Sequence, residues 1–520
     1  MATFAEALNH ARQALSAGRF ADAEAVYQQL VAAVPQLPDP WHELGIAQLQ
    51  SGRADAAIAS LERAISLDAA NANYWSNLGA AYRQAKHAAD AVRCFLRAVE
   101  VGGGTPQVYN NLALGRKALG QETEALADFD SAVAREPGYA TAHFNRANLL
   151  LEMGRIEEAI AGYRRSLELE PHDAGALCKL GVAHGDAGDF AAALAYYERA
   201  IVQQLGYAEP RRNRGMIWLS QGDYARGWAE FEHRLKCDGF APRVPSGPRW
   251  YGEPLAGRTL LVHAEQGLGD TLQFIRYLPL LERLGGVVRL EVQPPLVPLL
   301  AASGFGRWLA KTEPRQSYDL QCPLLSLPAY LSDLGGQPYW GGDYLAASPS
   351  LVAAWEPRVR AIPGFRVGIV WAGNPDHQHD RFRSVLLEAF APLAAIPQVS
   401  LISLQKGTAR EQLARAKFDV VDFGPAHDDE SGAFMDTAAI MQHLDLVIAV
   451  DTSLVHLGGG LGVPTWVPLH FSPDWRWMHE RDDTPWYPAL RLFRQKTLHE
   501  WPAVFSEMAN SLRAQLGDAR

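Results

Sequence analysis

Apolar positions in the first half of the chain recur every 34 residues. Trp41, Trp75 and Tyr109 share one such position, and the register runs without insertion through units at about 4–37, 38–71, 72–105, 106–139, 140–173, 174–207 and 208–241. Each unit holds two stretches with apolar residues at helical spacing, so each predicts a pair of helices. Small residues recur where the first helix must approach the second, at Gly45, Gly79, Ala113, Ala147, Gly181 and Gly215, and again at Ala23, Ala57, Ala91, Ala125, Ala159, Ala193 and Gly227. Bulky residues follow four positions after the second set, at Tyr27, Leu61, Phe95, Phe129, Tyr163, Tyr197 and Phe231. Pro35, Pro137 and Pro171 close three units, since proline cannot continue a helix. One helix pair cannot bury its apolar stripe alone, so the pairs are expected to stack into a right-handed solenoid with a concave face. The second helix of the seventh unit, Tyr224 to Lys236, mixes Trp228, Phe231, His233 and Arg234, the composition of a capping helix that docks on the domain following it.

Residues 237–258 are dense in Pro and Gly and carry no period, which predicts a connector with Trp250 and Tyr251 as its anchors. Beyond it strands alternate with helices, the pattern of parallel α/β layers. Thr259–Ala264, Val287–Val292 and Tyr318–Leu327 read as strands, with helices at Thr271–Leu284 and Leu351–Ile362. Phe365–Trp371, Val399–Leu404 and Val420–Asp422 open a second set of strands, with helices near Leu386–Ala395, Ala409–Ala416 and Asp436–His443. The expected organisation is a solenoid at 1–241, a linker at 242–258, one α/β half at 259–362, a second at 363–498 and a closing helical segment at 499–520.

The densest pattern is Leu446–Leu469, LVIAVDTSLVHLGGGLGVPTWVPL, which reads as strand, polar turn, helix and strand. Asp451, Thr452 and Ser453 stand where the helix begins, and His456 falls in its first turn. A helix start at the carboxyl end of a parallel strand leaves N–H groups free and a partial positive charge, which stabilises an anion such as a pyrophosphate. An ordinary βαβ crossover with a capped helix accounts for the same residues, and both readings stand.

Composition narrows the picture. The chain has 520 residues and a formal net charge of −10, which argues against an electrostatic nucleic-acid binder. Its four cysteines, Cys94, Cys178, Cys237 and Cys322, form no CxxC pair, so reduced thiols and a cytoplasmic location are expected. The first residues lack a basic start before an apolar core, and no apolar run approaches the roughly 20 residues a membrane span needs. A soluble chain is the expectation.

Two resemblances sharpen these readings. The 34-residue period is that of tetratricopeptide repeats, and the D-T-[GS]-x-x-H pattern at Asp451, Thr452, Ser453 and His456 resembles the donor-binding motif of the ADP-heptose glycosyltransferase family. That resemblance covers about residue 259 to the end and implies a GT-B-like pair of Rossmann-type domains with the terminal helix of 499–520 crossing back to the first half, a nucleotide-diphosphate sugar as substrate, and no cofactor or metal. It implies Asp270, closing the turn EQGLGD, as the base for the acceptor hydroxyl, although Asp270 as a simple helix cap fits equally. Arg383, in the loop GNPDHQHDRFRS, matches the family's basic residue for the diphosphate. Lys406 is placed like a residue that reaches the donor ribose or phosphate, and serves as well for a solvated loop lysine. His377 and His379 lack further ligands at a metal-site spacing. Ser472–Tyr487, rich in Trp, either stacks on a base or sugar or forms an aromatic seam under the last helix.

The joining of repeats to a sugar-transfer domain is similar to the O-linked N-acetylglucosamine transferase family. There an asparagine ladder holds the acceptor peptide, and the sixth position of each repeat here reads Asn9, Glu43, Asn77, Asn111, Asn145, Lys179 and Asn213. Asn77, Asn111, Asn145 and Asn213 are thus the implied acceptor groove, against the simpler reading that Asn is common at this position. Two functions follow: a glycosyltransferase whose solenoid selects a peptide or protein acceptor, or an interaction scaffold with a transferase-like domain that does not turn over.

Overall fold

The computed structural model describes residues 4–237, 245–309, 317–331, 336–376, 380–498 and 500–518. His377, His379 and His499, and residues 242–244 of the expected linker, lie outside them. The chain divides into two compact units, residues 1–205 and 206–520.

The first unit is six helix pairs: α1 and α2 (Phe4–Ser16, Phe20–Ala33), α3 and α4 (Pro38–Gln50, Ala54–Leu67), and α5 and α6 (Ala72–Gln84, Ala88–Glu100). The rest are α7 and α8 (Pro106–Ala118, Glu122–Arg135), α9 and α10 (Ala140–Glu152, Ile156–Leu169), and α11 and α12 (Ala174–Asp186, Phe190–Gln203). The small-to-bulky pattern is met atom by atom. A methyl group on Gly45 would lie 2.5 Å from Leu61, on Gly79 2.7 Å from Phe95, and on Gly181 2.6 Å from Tyr197. Each bulky residue therefore fills the space its glycine leaves. Tyr27, Leu61, Phe95, Phe129 and Tyr163 are completely buried, each contributing roughly 1.5–3 kcal/mol.

A second 34-residue periodicity has its reason in the backbone. The turn inside each pair passes through a left-handed residue at Gly18, Gly52, Gly120, Gly154 and Gly188, and the same position in the third pair is Lys86, with φ of 64°. A Cβ is costly there. Neighbouring repeats are also laced by side chains 35 residues apart: Asn77 Nδ2 to His42 Nε2 at 2.7 Å, Asn145 Nδ2 to Asn110 Oδ1 at 2.9 Å, and Lys117 Nζ to Glu152 Oε1 at 2.6 Å.

The second unit begins with α13 (Ala208–Ser220) and α14 (Tyr224–Phe231), which continues as a 3-10 turn over Glu232–Lys236. A three-stranded parallel sheet follows, β1 (Thr259–His263), β2 (Val287–Glu291) and β3 (Leu320–Pro323) in the order β2-β1-β3. Between these strands lie α15 (Leu268–Phe274) and α16 (Val297–Ala302), and α17 (Pro349–Arg360) leads out of the sheet. The second sheet comprises β4 (Phe365–Val370), β5 (Val399–Ser403), β6 (Val421–Asp422), β7 (Leu446–Ala449), β8 (Thr465–Leu469) and β9 (Leu490–Arg494). Helices α18 (Met435–Met441), α19 (Ser453–Gly460) and α20 (Trp501–Asp518) complete the chain. This sheet is parallel throughout, in the order β6-β5-β4-β7-β8-β9. The order runs outward in both directions from β4 and β7, so a crevice opens beyond their carboxyl ends, where doubly wound sheets place ligands.

Several sequence expectations shift. The helix expected at Thr271–Leu284 begins earlier, at Leu268, and gives way after Phe274 to a 3-10 turn over Ile275–Tyr277, just ahead of Pro279, which lacks the N–H a continuing helix needs. Asp270 thus lies within its first turn. Strand β9, LRLFR, was not expected. Helix α20 was expected to cross back to the first half; instead Val504, Phe505, Met508, Ala509 and Leu512 enter a core with Phe390, Trp466 and Phe493 that contains no residue of 259–362. Phe390 and Phe505 rings meet at 4.8 Å, which satisfies its apolar face locally. Among the described residues no helix is long and apolar enough to cross a membrane.

The seventh repeat belongs to the α/β core. Trp228 of α14 sits edge-on to Phe274 and Trp475, with ring centroids at 6.1 and 5.4 Å, and its Nε1 donates to Gly336 O at 2.7 Å. The aromatic segment 472–487 is therefore a seam under the last repeat, not under the terminal helix.

Replacing Lys86 by Gly should relieve the left-handed strain and raise stability by about 0.5–1 kcal/mol, while Gly52→Lys should lower it by about 1 kcal/mol. Urea unfolding of the full chain followed by circular dichroism checks both signs.

Candidate functional site

The site lies where the loop after β1 meets the loop after β7. Gly267 ends the first loop and starts α15, and Thr452 ends the second and starts α19. The two helix starts touch: a methyl group on Gly269 would lie 2.9 Å from His456 Cδ2 and 3.4 Å from Ser453 Cα. Only glycine allows that approach.

Asp270 is held on both oxygens. Oδ2 accepts the Gly267 N–H at 2.9 Å, closing the first turn of α15, and Oδ1 accepts from Arg476 Nη2. Capping and cleft-facing positions thus coincide in one side chain. Burial raises the pKa of this carboxyl above the usual carboxylate range, and the Arg476 guanidinium works against that rise. Arg476 is itself buried, and donates through Nε to Gln273 Oε1 at 2.6 Å and through Nη1 to Asp474 Oδ1 at 2.9 Å.

Asp451 stands at the end of β7. Burial and the neighbouring Asp474 carboxylate push its pKa up to about 6, opposed by Trp477, Arg383 and Arg476. Thr452 is 9% exposed, and its Oγ1 has no hydrogen-bond partner among the described residues. It therefore caps nothing. Ser453 begins the helix, half-buried beside Gly269. His456 is buried, stacked on Trp477 at 5.6 Å, and its Nδ1 meets Tyr487 OH at 2.8 Å. Burial, reinforced by the Arg476 and Arg276 cations, lowers its pKa well below the ordinary histidine range. The imidazole is thus a neutral hydrogen-bonding group.

Arg383 reaches this crevice from the loop after β4. Its Nη1 donates to Asp451 O at 2.8 Å and its Nε to Asp380 Oδ1 at 3.1 Å, with the guanidinium packed on the backbone of Gly373. Gln405, buried, accepts the N–H groups of Trp371 and Ala372 at 3.0 and 2.9 Å and so fixes the end of β4. Lys406 turns away toward the loop beyond β6: its ammonium donates to the carbonyls of Pro425 and His427 and pairs with Asp429 at 3.0 Å. A groove of about 520 Å³ lies beside it, lined by Lys406, Arg410, Asp422 and Pro425 among others.

Asp270, Arg383, Asp451, Thr452, Ser453 and His456 therefore converge, while Lys406 is engaged elsewhere. In the solenoid Asn77 and Asn145 use amide hydrogens in the lacing between repeats, Asn111 is half-buried, and Asn213 accepts from Arg212 Nε and Nη2 at 3.1 and 2.9 Å. Sequence reasoning passed over Arg476 and Asp474 as site residues. The signal was an arginine between two tryptophans, which reads as aromatic packing. Among the described residues no group of three or more His, Cys, Asp or Glu side chains is arranged to hold a metal ion.

Fold and comparisons together show tetratricopeptide repeats in about the first 235 residues, followed by a region of parallel sheets. The chain matches tetratricopeptide-repeat families at residues 14–76, 147–188 and 178–235. It is similar to the protein FlbA of Caulobacter vibrioides, 28% identical over 330 residues that make up 58% of this chain and 54% of that one, so it spans about half the length of that curated relative. Among solved structures, a tetratricopeptide repeat protein from Parabacteroides merdae is 18% identical with a TM-score of 0.39, covering 46% of this chain and 95% of that one. YrrB, a TPR protein with an unusual peptide-binding site, is 20% identical with a TM-score of 0.32, covering 36% and 97%.

The raised Asp451 carboxyl has a signed consequence. Below about pH 4 the native and unfolded chains both carry its proton; between about 4 and 6 only the native chain keeps it. Its contribution to stability is thus full below that window and lost as pH rises through 6. Urea midpoints measured from pH 4 to 7 should fall more steeply in the wild type than in Asp451→Asn.

Proposed function

We propose that the α/β region is a glycosyltransferase that moves a sugar from a nucleotide-diphosphate donor to an acceptor selected by the repeats, its two sheets serving as the halves of a GT-B-like enzyme. One observation carries the reading: at the crevice between β4 and β7 a helix start with a buried, unpartnered Thr452 hydroxyl stands beside Arg383 and opposite Asp270. Free N–H groups of α19, the Thr452 hydroxyl and the Arg383 guanidinium suit a diphosphate. Asp270 would take the proton of the acceptor hydroxyl as its oxygen bonds the anomeric carbon. The bond from that carbon to the diphosphate breaks, and the diphosphate leaves with the electron pair. A peptide or protein is the acceptor class that tetratricopeptide repeats suit.

The second reading, an interaction scaffold without turnover, is favoured by the two bonds that already occupy the Asp270 carboxylate. Calorimetry of the full chain with ADP-, UDP- and GDP-glucose separates the two. A transferase binds one of them at micromolar to millimolar concentration, Arg383→Ala weakens that binding about tenfold or more, and Asp270→Asn keeps binding while losing donor turnover about a hundredfold or more. Silence from all three donors removes the transferase reading, and turnover undisturbed in Asp270→Asn removes Asp270 as the base.

A further inference from the structure

Asp270 is a carboxylate in a place that disfavours its charge. Burial raises its pKa and so disfavours the charged form that accepts a proton, and the Arg476 guanidinium opposes that rise. The charged groups that bear on it are Glu265 in its own loop, Arg234 at the end of the last repeat, and Asp474 and Arg476 from the loop after β8, while Asp451 acts on Arg476 and His456 packs on the adjoining Gly269. Among the described residues only Arg476 bonds the carboxylate directly from outside its turn.

We propose that Arg476 is the positioning residue of this site: clamped by Gln273 and Asp474, its guanidinium holds Asp270 through Oδ1 and fixes both the direction and the charge of the carboxylate. The inference rests on the transferase reading for its catalytic meaning. All three kinds of nitrogen on the guanidinium are engaged, and Asp474 Oδ1 also accepts the Arg476 backbone N–H at 3.0 Å, so the side chain is fastened to its own turn. A carboxylate offers about four lone-pair directions, and the two bonds on Asp270 leave the others for an incoming hydroxyl. Asp474 has the opposite electrostatic sign to Arg476 at Asp270. Removing one or the other therefore moves Asp270 in opposite directions, which a residue that only supports the fold would not do.

The test uses the full chain as wild type, Arg476→Gln, Arg476→Lys and Asp474→Asn, each with and without Asp270→Asn. Urea unfolding across pH 4–9 gives the titration of Asp270 as the difference between the members of each pair. Donor turnover, with whichever of ADP-, UDP- and GDP-glucose binds, gives the acid limb of the rate profile. The Asp270 midpoint should rise by about one unit or more in Arg476→Gln and fall in Asp474→Asn, with the acid limb following both shifts. Arg476→Lys should keep the midpoint within about half a unit but lose turnover about tenfold, because an ammonium cannot make the three-way clamp. Midpoints that stay in place in Asp474→Asn and in whichever Arg476 variant folds overturn the proposal. Opposite shifts in unfolding with no turnover from any donor in the wild type would sink the transferase reading alone and leave the positioning role standing.

Discussion

The backbone of Gly269 against His456 and Ser453 is the contact on which the second unit turns. It brings the carboxyl ends of two separate parallel sheets face to face, with bare glycine backbone on one side and the His456 ring and Ser453 Cα on the other. Everything chemically suggestive is arranged around that point. Asp270 comes from one side, Asp451 and Thr452 from the other, and Arg383 over the crevice of the larger sheet. A bulkier residue at 269 would part the two loops, and the polar groups would then face solvent separately.

Buried charge holds this arrangement in two layers. Arg476 ties the loop after β8 to α15. Behind it Arg234, 1% exposed, donates to Glu232 Oε1 at 2.7 Å, Glu265 Oε1 at 2.6 Å and Ser326 Oγ at 2.8 Å. Arg249 and Tyr330 complete the second layer on Glu232. Buried ion pairs of this kind add little net stability compared with apolar packing, yet breaking one leaves a partner uncompensated. They tie the end of the last repeat to the loop after β1 and to Ser326.

How legible this was in the sequence differs by element. The repeats were readable because a 34-residue period is reinforced in every unit, and Gly45, Gly79 and Gly181 face the bulky residues that spacing assigned to them. The strands of the larger sheet were readable as buried apolar runs, except β9, where Arg491 and Arg494 interrupt the pattern. The helix start at Asp451 was visible in its chemistry, and so was the Asp270 turn. Arg476 was not, because its role depends on Gln273 and Asp270, some two hundred positions away. Lys406 shows the converse: a loop position after β5 suggested a ligand, and carbonyls from residues 425 and 427 claimed the ammonium instead.

The fusion of α13 and α14 with the sheets bears on how the chain can be taken apart. By sequence the array ends near 241, and a cut there looks harmless. Such a cut would strip Trp228 and Phe231 from Phe274 and Trp475 and remove Arg234 from Glu265, leaving an oily, charged scar beside the very loop that carries Asp270. The natural seam for dissection is the junction of Leu205 and Gly206.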